Sequence, residues 1–140
     1  MNTIQLKLCD IQGRLFELSV DRQLGSASFV KIFMNSETAK ALDSTYNRMQ
    51  WAGEEYLLEE VIDSASGKFS VREEVYSKDM IYWIGYIYRY WHYYTGESSK
   101  TIYKQAPVDT MKRNYLMFHT MAPEVAIEDL KEIYNERNGL

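Results

Sequence analysis

The chain has a single cysteine, only two histidines and no long apolar run, and each scarcity removes a class of protein. Cys9 has no partner for an internal disulfide, so a reducing interior fits. His92 and His119 lie far apart in sequence and both are remote from Cys9, which argues against a zinc site. No stretch approaches the roughly 20 apolar residues that a membrane span needs. The opening Met1-Asn2-Thr3-Ile4-Gln5-Leu6-Lys7 also lacks a basic segment followed by an apolar core. A cytoplasmic protein outside the membrane is the expectation. A Gly-Lys-Ser/Thr phosphate loop, a Gly-x-Gly-x-x-Gly turn and a Gly-x-Ser-x-Gly elbow are all missing, so nucleotide hydrolysis and serine-esterase chemistry lack their usual signatures. No catalytic residue, metal or cofactor is therefore assigned, and the expectation is a protein that is not an enzyme.

What is present is a chain of 140 residues with 46% hydrophobic and 26% charged residues, enough to form one ordinary core without a staple. No repeat or low-complexity tract interrupts it, and residues 1–140 read as one domain. Its densest feature is Tyr82-Trp83-Ile84-Gly85-Tyr86-Ile87-Tyr88-Arg89-Tyr90-Trp91-His92-Tyr93-Tyr94, which holds two of the three tryptophans. Tyr and Trp carry large apolar area with a polar tip, so such a run is either the centre of a fold or a recognition surface.

Helical spacing dominates the rest. Ile4, Leu8, Ile11, Leu15 and Leu18 make a stripe that predicts a helix from about Thr3 to Leu24, with Gly25 as its stop and Gly13 as a cost of about 1 kcal/mol inside it. Ser28 is a candidate cap for a short helix carrying Phe29, Ile32 and Phe33. From Glu37 the stripe Leu42, Tyr46, Met49, Gly53, Tyr56, Leu57 and Val61 predicts one longer helix, with Gly53 as a close contact or a bend. Asp63-Ser64-Ala65-Ser66-Gly67-Lys68 ends it. Ser77 and Gly96 bracket the aromatic run as a helix of about eighteen residues, too long for an ordinary strand. Ser98-Ser99 then opens a short helix, Pro107 another, and Ala122-Pro123-Glu124 the last. The expected fold is all-α, a bundle of six to eight helices around the central aromatic one.

Projected at 100° per residue, the aromatic helix leaves one narrow polar strip of Lys78, Gly85, Arg89 and His92. On a structural reading, Gly85 admits a neighbouring helix while Arg89 and His92 bond across a seam or reach water. On a functional reading, Tyr88, Arg89, His92 and Tyr93 form a polar pocket or partner contact, since Arg and Tyr are enriched at interface hot spots. The pairs Glu54-Glu55, Glu59-Glu60 and Glu73-Glu74 read as solvated faces, and Cys9 as a packed thiol. The segment from Ser98 to His119 is locally basic despite the net charge of −4. Its two short helices outline a helix-turn-helix in which Lys100, Lys104, Lys112, Arg113, Asn114 and Tyr115 would meet DNA.

Two stretches carry a likeness beyond chemistry: residues 44–56, Ser-Thr-Tyr-Asn-Arg-Met-Gln-Trp-Ala-Gly-Glu-Glu-Tyr, and residues 85–96, Gly-Tyr-Ile-Tyr-Arg-Tyr-Trp-His-Tyr-Tyr-Thr-Gly. With Met117-Phe118-His119-Thr120-Met121 and Ala126-Ile127-Glu128-Asp129-Leu130, the chain resembles a family of small, largely uncharacterised bacterial proteins encoded beside toxin-like genes. The resemblance implies an antitoxin-like role with a toxin-like protein as partner, and it assigns no functional residue. DNA, and a second copy of the chain, are the other partners this reading leaves open. A small-molecule site built on the tyrosine tips is the third hypothesis.

Overall fold

The computed structural model describes residues 1–70 and 72–139, and among these it contains eight α-helices and no strand. They are α1 (Thr3–Asp21), α2 (Ser26–Met34), α3 (Glu37–Asp43), α4 (Glu54–Ala65), α5 (Lys78–Thr95), α6 (Ser99–Gln105), α7 (Val108–Phe118) and α8 (Pro123–Arg137). No helix among the described residues is long and apolar enough to cross a membrane.

Local chemistry sets most boundaries. Asn2 and Gln5 form a reciprocal capping box on α1. Ser36, Ser77 and Ser98 each accept a hydrogen bond from the third amide of the helix that follows. Gly96 closes α5 in the left-handed region, at φ 80°, as its place after Thr95 predicts.

Three boundaries depart from expectation. α1 ends at Asp21, because Gln23 turns the chain at φ 56°, and Gly25 is the cap of α2 rather than the stop of α1. Ser28 lies inside α2. Its amide and hydroxyl donate instead to Glu73, so Glu73 ties the segment before α5 to the first turn of α2 and is no solvated face. The predicted long helix from Glu37 to Val61 is broken into α3, a 3-10 turn at Arg48–Trp51, and α4. Asn47 is extended and caps the 3-10 turn through Met49 N, and Gly53 enters α4 at φ 85°, a conformation that L side chains avoid. Gly53 is thus a bend. The periodic stripe across the break is coincidental, since Tyr46 and Tyr56 are exposed.

The aromatic helix is the axis of the bundle. α5 packs along α1 and also touches α6, α7 and α8. Trp91, Ile81 and Ile84 are fully buried, each burial stabilising by about 1.5–3 kcal/mol. The two long helices approach so closely that a Cβ at Gly85 would lie 2.8 Å from the Gln12 carbonyl oxygen and 2.8 Å from the Phe16 ring. Gly13 serves the same contact from α1, with the Tyr82 ring lying where its side chain would be. The glycine that costs helix propensity is needed for packing.

The polar strip of α5 is therefore divided, with Gly85 and Arg89 buried, Lys78 exposed and His92 half-buried. Gly85 and Arg89 point at α1, while Tyr82, Tyr86 and Tyr93 are half-buried and Tyr94 is exposed. Cys9 is wholly buried, and burial pushes its thiol up to about 12, leaving almost no thiolate at neutral pH.

Candidate functional site

Arg89, 1% exposed, is the centre of a buried polar network that joins four helices. Its Nε donates to Gln12 Oε1 of α1 at 2.7 Å, its Nη1 to Asp43 Oδ1 at the end of α3 at 2.6 Å, and its Nη2 to Ser99 Oγ of α6 at 3.3 Å. Gln12 completes its own bonding by donating to the Gly85 carbonyl at 3.0 Å. Ser99 gives its amide and hydroxyl to the two Asp43 oxygens at 2.8 and 2.7 Å. Every strong group here has a partner, so the network holds the bundle together and offers little to a ligand. Tyr88 is equally internal: its hydroxyl donates to the Ala106 carbonyl at 2.6 Å, and burial lifts the phenol well above its usual range. In this conformation neither Tyr88 nor Arg89 reaches the surface.

His92 and Tyr93 do border open space. His92 Nδ1 sits 2.7 Å from the Glu97 carbonyl oxygen and 3.7 Å from Asp43 Oδ1, and its ring meets Tyr93 edge-on at 5.1 Å. The Tyr93 hydroxyl is shielded and bonds to no group among the described residues. Both line a cleft of about 610 Å³. Ile4 and Leu8 of α1 form one wall, and Tyr46 and Trp51 of the segment between α3 and α4 form the other.

That segment is what the sequence reading missed. Tyr46 is 95% exposed and Trp51 69% exposed, yet the backbone that carries them is tied down from within. Gln50 is buried, and its amide donates to the carbonyls of Leu42 and Ser44, while Asn47 caps the turn. Two large aromatic side chains thus stand in water on an anchored loop, where exposure gains nothing for the fold. Glu54 and Glu55 follow at the start of α4. A sequence signal existed for the network behind it, since Gln12 interrupts the apolar face of α1 and a polar residue there needs a buried partner.

Glu97 pins the turn after α5 to α8. It accepts from Trp91 Nε1 at 2.8 Å and Lys131 Nζ at 2.7 Å. Burial opposes its ionisation, but hydrogen bonds from Lys131, Trp91, Gln105 and Thr95 outweigh that and bring the carboxyl down to about 2.

In the basic segment, two of the four cations are paired with carboxylates. Lys112 pairs with Glu74 at 2.5 Å and Arg113 with Asp109 at 2.7 Å. The Asn114 amide donates to the Thr110 carbonyl, and Tyr115 packs on Trp83 and His119. Lys100 and Lys104 are exposed and form no ion pair among the described residues. Half of the cationic charge expected to meet phosphate is thus already answered by carboxylates.

No protein-family model, curated protein or solved structure matches this chain.

Proposed function

We propose that the chain is a non-enzymatic cytoplasmic protein-interaction module, an antitoxin-like protein that neutralises a toxin-like partner by docking it on the Tyr46–Trp51 face. The observation that carries the reading is the pair of exposed aromatics, 95% and 69% accessible, on a loop anchored by Gln50. Trp and Tyr are the residue types that dominate interface energetics, and an anchored loop loses little entropy when it binds. His92 and Tyr93 stand behind them on the wall of the same cleft. The net charge of −4 suits a basic partner, whose association it would accelerate by electrostatic steering.

Co-expression with the product of the adjacent gene, followed by co-purification, tests the proposal. A stable complex and rescue of growth are expected, with Trp51→Ala weakening both. No complex together with no rescue overturns it. The DNA-contacting alternative through residues 98–119 rests on Lys100 and Lys104 after the pairing of Lys112 and Arg113. It would require binding to upstream DNA that falls steeply with salt.

A further inference from the structure

A second and larger cleft, of about 730 Å³, opens on the other side of α1 from the Tyr46 loop, between α1, α5 and α7. Its walls are aromatic. Tyr82 and Tyr86 stand one turn apart on α5 with ring centroids 6.0 Å apart, and Trp83 lies beside them. Across from them Tyr115 stacks on His119 at 4.5 Å. Three carboxylates, Asp10, Glu17 and Asp79, share the lining with one guanidinium, Arg14. Asp10 is already occupied: it accepts from the Tyr82 hydroxyl at 2.5 Å and pairs with Arg14 Nε at 3.0 Å, which fixes the Tyr82 ring. Lys78, the nearby ammonium, is held by Asp21 at 2.7 Å. Glu17 and Asp79 form neither a hydrogen bond through their side chains nor an ion pair among the described residues. Burial raises the Glu17 carboxyl, and the attraction of Lys78 and Arg14 leaves that rise only partly offset.

We infer that this cleft binds an arginine side chain presented by a protein partner. The chemistry selects that group. An anion would meet an excess of carboxylates, and an apolar side chain would desolvate Glu17 without answering its charge. A planar guanidinium stacks on tyrosine faces while its N–H groups reach carboxylates at the edge, a combination an ammonium does not match. The aromatic rings are pre-positioned, since the Tyr82 ring is seated on Gly13 and tethered by Asp10. Arginine binding here requires neither the Tyr46 loop nor the partner proposed for it.

Nuclear magnetic resonance titration of the full chain with N-acetyl-arginine methylamide tests it, with N-acetyl-citrulline methylamide as the neutral shape match. The indole N–H of Trp83 in this cleft reports binding separately from Trp51 and Trp91. Arginine is expected to shift the Trp83 signal saturably, and citrulline to bind at least about fivefold more weakly, as loss of a cation–π contact and a charge pair requires. The double variant Glu17→Gln, Asp79→Asn, which removes no contact of the core, should weaken arginine about tenfold while lowering the thermal midpoint by only a few degrees, since Asp79 lies in the first turn of α5. Equal response to arginine and citrulline, no response at Trp83, or an unaltered affinity in the double variant would each overturn the assignment.

Discussion

Two aromatic regions of this molecule have opposite fates. α5 gathers six tyrosines and two tryptophans in eighteen residues, and most of that area is spent on the core. The stretch from Tyr46 to Tyr56 has only three aromatics, and all three are exposed. Aromatic density therefore marks the axis of the bundle, whereas the sparse aromatics on a polar, broken stretch mark a face left open to solvent. What separates them is the backbone around each: α5 is an uninterrupted helix packed on α1, α6, α7 and α8 and bonded to α3, while Asn47 and Gly53 turn the chain out into solvent.

The largest effect is expected inside the bundle. Arg89→Ala strips Asp43 and Gln12 of their buried partner, and breaking such a pair costs about 3–5 kcal/mol, read as a lower urea midpoint. A loss below about 1 kcal/mol would show that the network is solvated and open to ligands after all. On the exposed side, Trp51→Ala should leave unfolding stability within about 0.5 kcal/mol of the parent and weaken the complex with the proposed partner by about 2 kcal/mol or more. Denaturation and binding isotherms of one variant check both halves. Gly85→Ala probes the seam between α1 and α5. Its Cβ would meet the Gln12 carbonyl at 2.8 Å, so overpacking should exceed the gain in helix propensity, for a net loss of about 1–2 kcal/mol.

The smallest effect is a pH dependence. Glu97 is held at about 2 against an ordinary 4.5, so it binds a proton less readily in the folded state than in the unfolded one. Its stabilisation is complete above about 4.5 and is lost as pH falls toward about 2. Glu97→Gln should flatten the stability profile across that window, measured by urea denaturation at successive pH values, and an unchanged slope would show that the Lys131 contact is loose.

How much of this was legible in the sequence follows from the range of each interaction. Ser77, Gly96, Ser98 and Pro123 act within one helical turn, and the helices they bound are those the sequence predicts. The break at residues 44–53 escaped because Leu42, Tyr46, Met49, Gly53 and Tyr56 happen to keep a helical period, which periodicity cannot distinguish from a stripe of the core. Gly53 carried the warning, and its φ of 85° turned the choice toward a bend. Arg89 could be placed on a helix face, but its partner Asp43 lies 46 residues away and no local pattern joins them. Of the residues expected to meet a partner, His92 and Tyr93 border the cleft and Tyr88 and Arg89 do not, a division set by which face of α5 the glycine seam draws against α1.

The most direct test of the contrast is hydroxyl-radical footprinting of the chain alone and of the chain co-purified with the adjacent gene product. Fast labelling of Tyr46 and Trp51 in the free chain, slow labelling of Tyr88 and Trp91, and protection of Tyr46 and Trp51 in the complex are the expected result. Rapid labelling of Tyr88 and Trp91, or protection in the complex that spares Tyr46 and Trp51, would contradict it.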